Sequence, residues 1–462
     1  MSAPAATAPS APPLHGPDRD RSIDLARAGA LVVVVLLHAT MVGIDVQDGR
    51  PVFSNALDID GFAPWSWLVQ VMPLFFAAGG FTAARSFRRS RARGASRAAF
   101  AATRVRRLLR PLPLVMLVLA AGLSALLVAG VPGDLVAVAG FRMSQPLWFL
   151  GVFVFAQALV PALVAAHDRA PVVTLAVLAA AVVAGDVLRM TSGVEALGLL
   201  GLASVWLTVQ QLGFWIEDGR ADAIAARVRW RMAAGTVGVL LVLVVSGAYA
   251  ADMYVNLNPP TVALALFAFA QVTLFTLSRP ALRRWAGRPP IARAVDAIGG
   301  RAMTVYLWHM PALVALAGAV AGSALVTGAD LPAPASPAWW LDRPAWLVLG
   351  AVVVGAGAWA ASRFETRHAR SGAEPVTEQA GRAALATLTG AAAVAAVLAL
   401  GLGPATAVLS ALLAALAVRL SAAGPILPRG LTPAGARGGR RSPLRGPRRG
   451  AGGRAPSARR AG

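Results

Sequence analysis

The chain of 462 residues has no cysteine, which excludes disulfides, thiolate metal sites and cysteine nucleophiles. It has no lysine either, so all 43 of its Lys-plus-Arg side chains are arginine. Charged residues make up only 14%, well below the share in a soluble domain. Only five histidines occur. His15 and His368 fall in polar flanks and His167 in a short loop, none with a ligand-spaced partner, so no metal set is visible. There is no P-loop, no Gly-rich dinucleotide turn after a strand and no Gly-x-Ser-x-Gly elbow.

What the chain has is apolar length. It is 57% hydrophobic, and much of this lies in runs long enough to cross the hydrocarbon of a bilayer. Only helices satisfy the backbone across such spans, so the predicted fold is an all-α, polytopic membrane helix bundle. Ten core spans are expected near 25–44, 65–84, 111–130, 147–166, 170–188, 196–216, 233–251, 260–278, 302–322 and 344–362. Two further runs, 383–402 and 404–422, meet at Gly403-Pro404 and form a helical hairpin or one broken segment; the hairpin is favoured. The first run is too long for a signal-peptide core and lacks a convincing cleavage site, so it is expected to be retained.

Residues 1–21, rich in Ala, Pro and Ser, predict a disordered arm. Residues 22–365 form the transmembrane domain, 366–382 a cytoplasmic linker and 383–422 the additional hairpin. In the tail, 423–462, ten arginines stand without an acid from Pro425 onward. That composition buries no core. It suits anionic lipid headgroups, or equally a solvated tail on the positive side.

A formal net charge of +22 raises the question of nucleic acid. The distribution argues against it, because the arginines cluster in alternate loops as the positive-inside rule requires. Residues 86–110 carry nine arginines and no acid, and 278–301 carry six against Asp296. Residues 44–64 instead carry four aspartates against Arg50, and 252–260 carry no positive charge. The expected topology is a multi-pass plasma-membrane protein with a cytoplasmic N-terminus. Trp65, Trp67, Trp339 and Trp340 fall at the level of an outer aromatic belt.

Arg27 and His38 are eleven residues apart in the first span. Each helical residue turns about 100° and rises about 1.5 Å, so the two share one face, roughly 16 Å apart along the axis. Ionisable groups at such depth face polar cavities and are functional candidates. The plainer reading of His38 is a histidine hydrogen-bonded inside the bundle.

Arg21-Ser-Ile-Asp24-Leu-Ala-Arg27, ten residues and then His38 resemble the start of the acyltransferase 3 family, integral membrane enzymes that move acyl groups onto hydroxyls. Further pieces match in order. They are Met72-Pro73-Leu74-Phe75-Phe76 through Gly79-Gly80-Phe81, Arg107-Leu-Leu-Arg110-Pro111, Pro146-Leu147-Trp148-Phe149-Leu150, and Tyr306-Leu307-Trp308-His309-Met310-Pro311. The resemblance covers roughly 20–365. It departs at Gly79, where many members have serine, so that serine is no essential nucleophile here.

The resemblance implies an essential His38 and an acyl-CoA donor, with no permanently bound cofactor. The acyl group is expected to be acetyl or short, and the acceptor a glycan, lipid or small-molecule hydroxyl. An imidazole accepts a proton near neutral pH, which suits His38 as general base. Arg27 at the cytoplasmic end of the same face would sit near the donor. Asp24 either pairs with Arg27 or favours the positive helix N-terminus.

Arg107 and Arg110, at i,i+3, suit a phosphate clamp at the start of a helix, where the free amides add attraction; a positive-inside anchor is the plainer reading. Trp148, Tyr306, His309 and Asn258 are substrate-site candidates. Trp148 also fits simple packing, His309 the carbonyl freed by Pro311, and Asn258, with Asn256, a turn. The competing functional class is a multi-spanning transporter or flippase of an envelope precursor, for which a repeat relating two halves is expected; none is visible. A membrane protein that has kept the fold and lost activity is the third reading.

Overall fold

Asp20 starts the first helix. Its carboxylate accepts the Ser22 amide at 3.0 Å, capping α1 (Arg21–Met41). The same carboxylate, only 6% exposed, receives Arg279 at 2.7 Å and Arg283 at 2.6 Å, while Arg21 bonds Asp296 at 2.7 Å. These ion pairs fix the rotation of α1 against the helices that carry the partners. The computed structural model describes residues 19–369 and 375–424. Most of the predicted arm, part of the linker, the tail from 425 on and the side chains of His15 and His368 lie outside the described residues.

A two-stranded antiparallel hairpin follows α1, with β1 (Val42–Gln47) paired to β2 (Arg50–Asn55). Only a loop was expected across 44–64. Asp48 and Gly49 both have positive φ, 51° and 73°, as a primed two-residue turn requires. Asp-Gly between short alternating runs was the signal for it.

The second span is broken. Helix α2 (Ala63–Val69) stops at Gln70, and α3 (Met72–Ala92) restarts with Pro73 in its first turn. The backbone carbonyl freed at Gln70 accepts Gln271 Nε2 at 2.9 Å. In lipid a break survives only when a neighbour satisfies the loosened backbone.

Helices α4 (Arg97–Leu109) and α5 (Leu112–Val128) run almost continuously through Arg110 and Pro111, both in the right-handed helical region. The expected fourth span, 147–166, is divided. Helices α6 (Gly133–Ser144) and α7 (Leu147–Ala158) together make a crossing stretch, and α8 (Val160–Arg169) is a separate helix opening with Pro161. Proline at Pro146 and Pro161 lacks the donor that a continuous helix needs. His167 therefore lies in the last turn of α8, fully buried, and not in a loop.

The remaining helices are α9 (Pro171–Ser192), α10 (Gly198–Glu217), the single turn α11 (Arg220–Ala223), α12 (Ala226–Val245), α13 (Val262–Ala286) and α14 (Pro289–Gly300). They are followed by α15 (Ala302–Thr327), α16 (Pro337–Ala369), α17 (Ala380–Leu400) and α18 (Pro404–Leu420). Among the described residues, eleven helical stretches are long and apolar enough to cross a membrane, with α18 as a shorter apolar helix. The chain is an all-α polytopic bundle.

Two apolar clusters build its interior. One joins α5, α6, α7, α17 and α18 around Leu112, Met116 and Leu150. The other joins α3, α10 and α13 around Phe76, Trp206 and Leu264. Tyr306 of α15 packs against both. Of the four belt tryptophans, Trp65 and Trp340 are exposed, but Trp339 is buried with the Arg343 guanidinium 3.9 Å from its ring.

Candidate active site

Between the clusters lies a cavity of about 1360 Å³. On α1 it is lined by Arg27, Ala30, Leu31, Val34, His38 and Met41. Steps of three and four residues place these side chains on one helical face. Arg27 and His38 thus line the same cavity, as the eleven-residue spacing predicts.

The cavity changes character along its length. At one end Arg27, Arg104, Arg107, Arg110 and Arg301 line it, and among the described residues no Asp or Glu lies on its wall. Arg27 Nε is buried with no hydrogen-bond partner. Asp24 makes no hydrogen bond to Arg27; its carboxylate takes Arg19. A concentration of guanidinium groups in a concave site fits an anion with several phosphate oxygens.

The expected help from a helix N-terminus is absent at Arg107 and Arg110. Arg107 lies in the last turn of α4, and Arg110 bonds back to the Arg106 carbonyl within the kinked α4–α5 run. In the sequence Arg104 and Arg301 stand out only as members of the arginine-rich stretches 86–110 and 278–301. The i,i+3 step from Arg104 to Arg107 was a usable signal; nothing local marked Arg301.

At mid-depth stand two histidines 271 positions apart in sequence. His38 Nδ1 lies 3.0 Å from His309 Nε2. Their ring planes are within 22° and their centroids 5.1 Å apart, the spacing of imidazoles meeting nitrogen to nitrogen. His309 Nδ1 lies 2.7 Å from the Tyr306 carbonyl oxygen. A carbonyl only accepts, so His309 donates from Nδ1 and, when neutral, accepts at Nε2. His38 then donates from Nδ1 and carries its lone pair on Nε2. His309 is fully buried and is not on the cavity wall. It stands behind His38 as a support.

The other candidates divide. Tyr306 lines the cavity, and its hydroxyl donates to the Pro146 carbonyl at 2.5 Å. Trp148 also lines it, while its indole packs 6.0 Å from Trp206, so wall and packing are one role. Asn258 reaches the wall beside Tyr254 and Leu257 at the end away from the arginines. Asn256 does not; its amide bonds the Ala250 and Asp252 carbonyls at 2.7 and 3.0 Å, holding the loop. At Gly79 a Cβ would come 2.9 Å from the Phe153 ring, so aromatic packing occupies the space a serine would need.

Fold and site define a multi-pass membrane protein built around a cavity, cationic at one end and lined by an imidazole at mid-depth. The chain matches the acyltransferase 3 family, described as an acyltransferase domain, over residues 20–363, and it belongs to that family. No curated protein and no solved structure matches it. Helices α17 and α18 lie beyond the matched residues.

Proposed function

We propose that this membrane acyltransferase transfers an acyl group from acyl-CoA to a hydroxyl of a glycan, lipid or small-molecule acceptor, with His38 as general base. The observation that carries the reading is one cavity lined by five arginines and, deeper, by an imidazole with one open nitrogen. The arginine end faces the cytoplasm of a plasma-membrane protein, since arginine-rich loops stay inside. There Arg27, Arg104, Arg107 and Arg110 receive the donor's phosphates, and the pantetheine arm runs along the α1 face toward His38. The acceptor enters from the end lined by Asn258.

The reaction follows from the tautomer. His38 Nε2 takes the acceptor's hydroxyl proton as its oxygen attacks the thioester carbonyl. His309 Nε2 holds the Nδ1 proton and stabilises the imidazolium that forms. As the C–S bond breaks, the Nε2 proton passes to the departing thiolate, leaving an ester and free CoA. Base catalysis of this kind contributes about 10²–10⁴ in rate. A cavity lined from both ends also suits a transporter, and the same assay separates the two. Membranes carrying wild type are expected to transfer labelled acyl from acyl-CoA, and membranes with equal amounts of His38→Ala are not. Equal transfer by both removes His38 as the base.

A further inference from the structure

The cavity wall is not made by the family domain alone. Val397, Leu398 and Gly401 of the α17 end line it, and all three lie beyond residue 363, where the family match stops. The hairpin that carries them is built into the bundle. A Cβ at Gly390 would come 2.2 Å from Leu109 of α4, and one at Gly140 of α6 would come 2.0 Å from the Leu402 carbonyl. The backbone contact needs glycine at Gly140, and at Gly390 the tip of the Leu109 side chain would have to move. Val394 and Val397 are fully buried in the same apolar cluster as Leu112 and Leu150.

A chain of contacts leads from the histidines to this wall. The Tyr306 ring lies 6.1 Å from that of His309, and its hydroxyl holds the Pro146 carbonyl. From there α6 runs back one turn through Gln145 to Phe141, both on the wall. The next residue on α6, Gly140, meets Leu402 at the tip of the hairpin. The wall here carries Phe141, Val397 and Leu398, with Ser144 and Gln145 on the following turn, and both Phe141 and Leu398 keep exposed surface. This flank is distinct from the arginine end and from the end with Tyr254 and Asn258.

We propose that the flank between α6 and α17 is the subsite for the donor's acyl chain, so that a helical hairpin outside the family domain sets acyl-chain length. This rests on the acyl-CoA reading. Three regions then take three parts of the reaction: phosphates at the arginines, acceptor at the Asn258 end, and hydrocarbon on the flank. A chain beyond acetyl removes apolar surface from water there, and one methylene changes discrimination by about tenfold or more.

Membranes carrying the full chain, supplied separately with labelled acetyl-, butyryl- and octanoyl-CoA, test it. In wild type, transfer of the longer chains is expected. Leu398→Trp, which fills the flank, is expected to lower the octanoyl-to-acetyl ratio about tenfold. Phe141→Ala, which widens it, is expected to raise the ratio. Should Leu398→Trp fail to accumulate, Phe141→Ala decides alone. Wild-type transfer of acetyl only, or ratios unchanged in the variants, overturns the subsite and leaves the acyl-CoA reading standing. No wild-type transfer from any of the three donors overturns that reading instead.

Discussion

Two histidines inside the bundle, His167 buried and His38 partly exposed, look alike in sequence and differ in what surrounds them. His167 has both ring nitrogens occupied, Nε2 at 2.8 Å from Asp218 and Nδ1 at 2.6 Å from the Gln211 amide. Whichever way that amide is turned, neither nitrogen is open. It ties α8 to α10, beside the Arg88 bonds to Asp168 and Glu217. His38 has one nitrogen on His309 and lines the cavity. Hydrogen bonding is common to both imidazoles; an unoccupied nitrogen on a cavity wall is what sets His38 apart. The first arrangement locks helices and the second leaves a lone pair for chemistry.

The contrast is broken most sharply at His38. His38→Ala is expected to lower acyl transfer by about 10²–10⁴ with unchanged protein level, measured as labelled acyl incorporated per unit of membrane protein. Next come the arginines. Arg107→Ala with Arg110→Ala is expected to raise the donor KM by about tenfold to a hundredfold, the loss of charge-assisted hydrogen bonds, with little change in kcat at saturating donor. An unaltered KM removes the clamp.

His309→Ala is expected to lower kcat by about tenfold to a hundredfold, the usual cost of removing an orienting partner, while donor KM stays as in wild type. His309→Gln, whose side-chain oxygen accepts the Nδ1 proton of His38, is expected to recover part of the loss; a Gln variant no more active than the Ala variant makes His309 merely structural. His167→Ala is the opposite control. It leaves the ring partners Asp218 and Gln211 without their imidazole at a cost of about 1–3 kcal/mol, read as a lower Tm in detergent, with kcat retained.

The smallest effect sits outside the cavity. Burial pushes the Asp20 carboxyl up, but hydrogen bonds from Arg283, Ser22 and Arg279 outweigh it and hold it well below the usual carboxylate range. A carboxylate depressed in the folded state stabilises above its unfolded value near ~3.9 and loses that contribution as pH falls. Asp20→Asn is therefore expected to lower Tm at neutral pH, with the gap to wild type closing on strong acidification. A gap that persists at low pH makes the loss one of capping geometry and not of charge.

How far the sequence reached is clearest at particular residues. Arg27 and His38 were legible together because helical periodicity is local and α1 is uninterrupted from Arg21 to Met41. The break at Gln70 was not, since it depends on Gln271, on another helix, to satisfy the freed carbonyl. The expected single helix over 147–166 failed because hydropathy does not register where Pro146 and Pro161 interrupt an apolar run. His309 was found as a residue but not as a support, because nothing near it in sequence indicates that its Nε2 meets His38.

By itself the sequence determined that this chain is a many-spanning bundle, which of its surfaces concentrate arginine, and which α1 side chains share a face. Those follow from the length of apolar runs and the pitch of a helix, properties that each segment carries alone in a medium where the backbone must bond to itself. Only the tertiary structure decided which nitrogen of His38 is open, that five arginines from three regions of the chain converge on one cavity end, and that a hairpin beyond the family domain lines its flank. Each of these depends on contacts between segments far apart in the chain, and no local pattern encodes them.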